Sequence, residues 1–246
     1  MEGKFVLTDQ IFEGQLGISD GIIQNIVKQG LRGETHLNVG NSLVFPGFID
    51  IHTHLREPGW THKEDFLTGT MAAIHGGVTC LVDMPNLPKP TINIEAIKEK
   101  KKLAKEKGLI DIFFNAGVTS ENIPLLSDMA EHIVGFKIYT SETTGDLYLP
   151  KKNMDKAIEK IIDTKKPLSV HCEDQQINDE KRQEMGSRMD PQVHCDVRPP
   201  ESEMKAVSEL IHYTLPINFC HISTPEAVDS INRVRKKNKR VHCEAT

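Results

Sequence analysis

PGFIDIHTHLREPG, residues 46–59, is the stretch on which the reading of this chain turns. Phe48, Ile49 and Ile51 mark a short apolar strand that runs into His52-Thr53-His54, and Pro58-Gly59 breaks it. Side chains two apart on a strand share a face, so His52 and His54 project together while Thr53 faces away. Two imidazoles on one face at a strand end make a ready pair of metal ligands. Taken alone, they read equally well as incidental polar residues at a strand terminus.

Upstream, residues 1–45 alternate in short apolar pieces punctuated by Gly, Asp and Asn: Lys4–Thr8, Gln15–Ile18, Gly21–Val27 and Ser42–Phe45. This pattern predicts a small sheet of short antiparallel strands. Downstream the pattern changes. Strand candidates recur at Phe48–His52, Val78–Met84, Ile110–Val118, Ile133–Tyr139, Leu168–Cys172, Ile217–Ile222 and Arg240–Cys243. Helix candidates fall between them at Asp65–His75, Ile94–Lys107, Asn122–Glu131, Met154–Thr164, Ser202–Tyr213 and Pro225–Lys237. In the helix at 94–107, Ile94, Ile97 and Ala104 form the apolar side and the lysines read as a solvated face.

Alternating strand and helix predicts parallel strands joined by crossover helices. An open doubly wound sheet usually carries a Gly-rich phosphate loop after its first strand, and none is present here. The expected fold class is therefore α/β, a (β/α)₈ TIM-type barrel, over residues 46–246, with residues 1–45 as a separate small β portion. Only seven of the eight strands are found, and the chain stops on a strand end. The expectation is thus a C-terminally truncated chain whose eighth strand lies past Thr246.

Composition bounds the partners. With 38% hydrophobic and 26% charged residues, the 246-residue chain has an ordinary globular make-up. A net charge of −5 argues against nucleic acid or an anionic membrane as partner, since both attract basic surfaces. No apolar run approaches the roughly 18 residues of a membrane span, and the N-terminus lacks the apolar core of a secretory signal. Five cysteines, an odd and scattered number, do not resemble a disulfide framework, so a cytoplasmic setting is expected. A small-molecule substrate is the expected partner, and a homo-oligomer is left open.

Barrel active sites lie at the C-terminal ends of the strands, and the polar residues found there are consistent. His52 and His54 end the first strand and Asn86 follows the second. Lys137 sits in the fourth, His171 ends the fifth and His221 the sixth, while His242 lies in the seventh. Converging strands would bring these side chains together. Imidazoles suit zinc and similar ions, and four of them with a bridging anion could hold two metals roughly 3.5–4 Å apart. Lys137 is the odd member, because an ammonium cannot ligate a cation. Burial beside cations favours the neutral amine, which can add carbon dioxide to become an anionic carbamate. The competing reading is a salt-bridging strand lysine.

These residues lie in a series of motifs. PGFIDIHTHLREPG is followed by GGVTCLVDMPN (76–86), VGFKIYTSETTG (134–145), VHCED (170–174), RPPESE (198–203), FCHISTPEAV (219–228) and VHCEAT (241–246). In this order they resemble the cyclic amidohydrolases of the amidohydrolase superfamily, the dihydroorotases most closely, from Pro46 onward. The resemblance implies a binuclear centre, usually zinc, with His52 and His54 on one ion, His171 and His221 on the other, and carboxylated Lys137 between them. Some bacterial relatives bridge with an aspartate instead. The resemblance also implies that residues 1–45 are the N-terminal part of a small β-sandwich. The family's catalytic aspartate would lie beyond Thr246, so no catalytic acid/base is assigned within this chain, and its activity as it stands is left open.

Arg56 and Asn86 bear on the substrate. A guanidinium at the barrel mouth can take a carboxylate through two parallel hydrogen bonds, and an amide adds a donor or acceptor. N-carbamoyl-L-aspartate and L-dihydroorotate carry such a carboxylate; hydantoins and dihydropyrimidines do not. The competing reading pairs Arg56 with Glu57 or Asp65. The expected function is reversible cyclisation of carbamoyl aspartate to dihydroorotate in pyrimidine biosynthesis. The alternatives are a hydantoinase or allantoinase with the same centre, or a non-catalytic scaffold that keeps the barrel. Cys172, Cys220 and Cys243 each neighbour a strand histidine, and alternation points all three away from it, toward the helices.

Overall fold

The computed structural model describes residues 1–245. Thr246, the last residue of the VHCEAT motif, and the aspartate expected past it lie outside the described residues. Two compact units are found, Met1–Phe48 and Ile49–Thr246.

The first unit is a four-stranded sheet of β1 (Glu2–Val6), β2 (Ile11–Ser19), β3 (Ile22–Val27) and β4 (Asn38–Val44), in the order β3-β2-β1-β4. The β2–β3 turn is Asp20-Gly21, with φ of 52° and 74°. Two successive residues with positive φ match the right-handed twist of a hairpin, and Asp-Gly adopts that conformation readily. One expectation is corrected here: β4 runs parallel to β1, so the sheet is mixed rather than antiparallel. A two-residue turn can only reverse the chain, whereas the longer connection over 28–37 lets β4 enter on the far side of β1 in the same direction.

The second unit alternates strand and helix: β5 (Phe48–Thr53), α1 (Phe66–His75), β6 (Val78–Asp83), α2 (Ile94–Lys107), β7 (Asp111–Gly117), α3 (Leu126–Ala130), β8 (Gly135–Tyr139), α4 (Met154–Thr164) and β9 (Leu168–His171). There follow α5 (Gln175–Met185), α6 (Val193–Asp196), α7 (Pro200–Leu210), β10 (Ile217–Ile222), α8 (Pro225–Arg235) and β11 (Val241–Ala245). Its seven strands form one sheet in chain order, β5 at one edge and β11 at the other. The pairings resolved from β6 to β11 are all parallel. Sequential order in a parallel sheet is what repeated crossovers of one hand generate, and these are seven strands of a (β/α)₈-type barrel.

The main core lies between the central strands and their helices, with Phe136, Ile138, Leu168, Val170, Phe219, Ile158 and Ile231 at 1% exposure or less. Strand β8 is buried at every position, as expected where helices cover one face and the barrel interior the other. Among the described residues, no helix is long and apolar enough to cross a membrane.

Two further readings change. Lys100 is not on a solvated face: it is fully buried and forms an ion pair with the equally buried Asp83, Nζ to Oδ2 2.6 Å. It lies three residues after Ile97 and four before Ala104, so helical periodicity puts it on their face. Helices α5 and α6 were not anticipated. The sequence of α5, QQINDEKRQEM, is almost wholly polar and carries no apolar stripe. It begins because Asp174 accepts the Ile177 N–H at 3.0 Å as an N-cap.

Candidate active site

The C-terminal strand ends gather one cluster of imidazoles. Ring centroids are 5.3 Å apart for His52 and His54, 5.4 Å for His52 and His221, and 4.9 Å for His171 and His221. Nδ1 of His171 lies 3.2 Å from Nε2 of His221. In the sheet order four strands separate β5 from β10, so the contact between His52 and His221 requires the sheet to curl. Lys137, on the inner side of β8, is 1% exposed, and its Nζ sits 5.2 Å from the Tyr139 ring centre. Asn86 and Arg56 both lie near enough to His54 to act on its titration, Arg56 lowering it by charge and Asn86 raising it. The structure thus brings all seven anticipated residues into one region. His242 is exposed and outside the cluster.

The way His221 enters the cluster was not legible. Ile217 and Phe219 pack in the helix-side core, and strict alternation would send His221 after them. Instead the β10–β11 register shifts between Phe219 and Ile222, and His221 has φ of 39°. This bulge gives the strand an extra residue. Ile222 returns to the core, while Cys220 and His221 both face inward. The expectation that Cys220 points toward the helices is therefore corrected: its Sγ, a His52 nitrogen and a Glu244 oxygen lie within 4.8 Å of one another. Cys172 and Cys243 do pack in the helix-side core.

Glu244 is the site residue that sequence reasoning missed. Its Oε2 is 2.6 Å from His52 Nδ1, and Asn218 Nδ2 donates to its other oxygen. The available signal was parity, since Glu244 shares a strand face with His242, which had been read as facing the site.

Supporting contacts hold the strand ends. The RPPESE motif opens α7 and staples two of them together. Glu203 accepts the backbone N–H and hydroxyl of both Ser223 and Thr224, just past His221. Ser202 and Asn178 hold the segment after His171, the hydroxyl of Ser202 accepting the Asp174 N–H at 2.7 Å. Glu173 accepts from Ser141 and Asn178 and pairs with Arg198 at 3.4 Å. Before β6, Leu55 N–H donates to Asp83 at 2.7 Å, fixing the chain next to His54. Arg56 itself has φ of 58°, a left-handed conformation that residues other than glycine rarely hold. The Trp60 N–H donating to the Arg56 carbonyl at 2.9 Å secures it. The two carboxylates proposed as its partners are otherwise engaged: Glu57 with Lys107 and the Phe66 N–H, Asp65 as N-cap of α1. Trp60 lies 5.9 Å from the guanidinium carbon, and among the described residues no ion pair holds that group.

Electrostatics divide the histidines. Burial, reinforced by Arg56 and His52, lowers the pKa of His54 to about 3. Burial, with His171 and Lys137 nearby, lowers that of His221 to about 4. Both imidazoles are neutral at pH 7, with lone pairs available. Burial also pulls His52 down, but hydrogen bonding to Cys220 and Glu244 outweighs it and raises the pKa to about 9.

These values imply an acid sensitivity for the metal-free chain. Below pH 6.5 the unfolded chain protonates His54 and His221 while the folded chain resists, so stability falls as pH drops toward 4. His52 acts in the opposite sense, but its contribution is complete below 6.5 and flat across this window. Glu173 is raised by burial and lowered further by His171, Ser141 and Arg198, to about 2, so its contribution is lost only below 4.5. The urea midpoint of the chelator-treated protein is expected to be lower at pH 5 than at pH 6.5. Equal midpoints would mean that these histidines titrate normally.

Buried polar atoms normally have hydrogen-bond partners. Among the described residues, five in this region have none: His54 Nδ1, Asn86 Oδ1, Lys137 Nζ, Tyr139 Oη and His171 Nε2. Unsatisfied nitrogens among neutral imidazoles form a donor set of the kind that divalent cations take up.

Comparison with known proteins gives the same class. Residues 43–244 match the model of the amidohydrolase family. A dihydroorotase from Methanosphaera stadtmanae is 34% identical, covering 93% of this chain and 54% of its own length. An allantoinase from Salmonella choleraesuis is 31% identical, covering 99% and 57%. Among solved structures, an L-hydantoinase from Arthrobacter aurescens superposes with a TM-score of 0.92 at 22% identity, over 99% of this chain and 57% of that one. The chain spans about half the length of the curated relatives it matches.

Proposed function

The chain belongs to the amidohydrolase family, and from that premise we propose that it forms the metal-binding part of a dihydroorotase, interconverting N-carbamoyl-L-aspartate and L-dihydroorotate. The observation that carries the substrate assignment is Arg56: a guanidinium beside the imidazole cluster that no carboxylate of the described residues neutralises.

The donor set fits two divalent ions, zinc being the expected metal. His52 and His54 would hold one, His171 and His221 the other, and Lys137 as its carbamate would contribute to both. Among the described residues, the unpartnered Nζ of Lys137 and Nδ1 of His54 support that reading, while His171 Nε2 has only a Glu173 oxygen, 3.5 Å away, beside it. When bound, such ions polarise an amide carbonyl and lower the pKa of water toward about 7. The chain's own residues do the rest. Neutral His54 and His221 present lone pairs at pH 7. Arg56 would grip the substrate carboxylate with two parallel N–H donors, while Asn86, beside His54, would orient the ring amide. A substrate fixed at its carboxylate presents one amide bond in one orientation, which is the entropic part of the catalysis.

The relatives include an allantoinase, and the hydantoin ring of allantoin carries no carboxylate. The Arg56→Lys variant separates the readings. Losing a bidentate, charge-assisted contact costs about 1.5–3 kcal/mol, so KM for dihydroorotate is expected to rise roughly 10–100-fold. Bound metal should be unchanged. Equal turnover of variant and parent on carbamoyl aspartate would remove the clamp, and preferential ring opening of allantoin or a hydantoin by the parent would replace the substrate.

A further inference from the structure

One charged side chain at the site has no part in the function above. Glu244, near the end of β11, reaches across to His52 on β5, although these are the two edge strands of the sheet and among the described residues no backbone pairing joins them. Both of its oxygens are committed: Oε2 lies 2.6 Å from His52 Nδ1, and Oε1 accepts from Asn218 Nδ2 on β10. The two side chains are largely shielded, at 15% exposure for His52 and 22% for Glu244.

A neutral imidazole has one N–H and one lone pair, and the neighbour of one nitrogen decides which is which. An ionised carboxylate only accepts, so the Nδ1 facing Glu244 must carry the proton. Once the ring is neutral, as it must be to ligate a cation, Nε2 holds the lone pair. Asn218 contributes by anchoring the carboxylate from a second strand, so that the acceptor cannot swing away. We propose that Glu244 is a positioning residue: it fixes His52 in the Nδ1–H tautomer and in one ring orientation, presenting Nε2 to a divalent cation. This rests on the reading of His52 as a ligand. Carboxylates hydrogen-bonded to a ligating histidine fix its orientation, raise its basicity, and typically change metal affinity 10–100-fold when removed.

The same neighbourhood admits a competing arrangement. His52, Cys220 and Glu244 each offer a ligand atom within 4.8 Å of the others, so Glu244 could itself bind the ion alongside a thiolate. The hydrogen bond between Glu244 and His52 favours the positioning role, because at 2.6 Å there is room for a proton between them but not for a cation with ligand bonds of about 2.0–2.2 Å on each side.

The test uses the full chain and its Glu244→Gln and Glu244→Ala variants, with two readouts. In the metal-free protein at pH 10, above the raised pKa of His52, where the imidazole is neutral, two-dimensional NMR of ¹⁵N-labelled histidine reports the His52 tautomer. The parent is expected to show Nδ1–H, Glu244→Gln to keep it because the amide carbonyl still accepts, and Glu244→Ala to lose it. In zinc-loaded protein, chelator competition is expected to show a 10–100-fold weaker ion in Glu244→Ala, most of the affinity back in Glu244→Gln, and unchanged stoichiometry in both. An unaltered tautomer in Glu244→Ala, unchanged affinity, or complete loss of one ion in both variants would overturn the proposal, the last by making Glu244 a ligand. If Glu244→Ala fails to fold, Glu244→Gln decides alone: retained tautomer and stoichiometry support the positioning role, and their loss refutes it. Should the parent bind no zinc, the ligand reading of His52 fails, while the tautomer measurement still tests the bond to Glu244.

Discussion

Replacing Lys100 with methionine is expected to destabilise the chain by about 3–5 kcal/mol, the usual cost of stranding a buried charge. The measurement is a lowered urea midpoint at unchanged slope, which separates lost stability from altered compactness. Lys100 and Asp83 have no exposed side-chain surface, and their 2.6 Å contact is each one's means of carrying charge inside the fold. Lys100 Nζ also donates to the Met84 carbonyl at 2.9 Å, and Asp83 Oδ1 accepts the Leu55 N–H. Methionine keeps the volume and removes the ammonium, leaving Asp83 as an uncompensated carboxylate. Adding Asp83→Asn should restore a substantial part of the loss, because the amide oxygen still accepts from Leu55 and nothing buried is then charged. A change below about 1 kcal/mol in Lys100→Met would place the pair among ordinary surface salt bridges and remove this account. The consequence reaches the site, since Leu55 lies between His54 and Arg56. Lys100 thus connects the packing of α2 to the placement of two residues that never touch it.

Lys100 also shows what the sequence could and could not carry. Parallel strands with both faces covered read as apolar runs, so β8 and β10 were legible from residue type alone, and so were the crossover helices with apolar stripes. Residue type puts Lys100 on a solvated face, but periodicity puts it on the face that Ile97 and Ala104 define, and the fold follows periodicity. Helix α5 had no such face to find. The bulge at Cys220-His221 is a different kind of miss. A positive φ at a histidine has no compositional signature, so alternation puts Cys220 on the wrong side, although the strand-end position of His221 does lead to the cluster of imidazoles. Glu244 was reachable in principle, since it sits two residues from His242. What concealed it was its position in the last described strand, where the neighbour that gives it meaning, His52, is almost the whole unit away in sequence. Strand-end chemistry is legible one strand at a time; contacts between the first strand and the last depend on how far the sheet curls.

The proposed metal centre turns on Lys137, and Lys137→Met is expected to move two measurements in opposite directions. As a salt-bridging strand residue Lys137 would need an acceptor, yet among the described residues its Nζ has no hydrogen-bond partner, and the residue is 1% exposed. An unsatisfied buried amine opposes folding by about 1–3 kcal/mol, so removing it should leave the metal-free chain as stable as the parent or more so. The proposed carbamate would reverse the balance: the neutral amine would add to carbon dioxide with loss of a proton to solvent, and the product would offer two oxygens sharing one negative charge among the imidazoles of His52, His171 and His221. Methionine cannot do this. The variant is therefore expected to lose the paired ions under conditions where the parent keeps them, and to lose on the order of 10³-fold in ring opening of dihydroorotate, corresponding to several kcal/mol of lost transition-state stabilisation. Reloading the chelated parent with zinc should require dissolved carbon dioxide, and the variant should be indifferent to it. If Lys137→Met instead lowers the stability of the metal-free chain and leaves zinc uptake by the parent independent of carbon dioxide, Lys137 is a structural lysine and the bridge must come from another side chain.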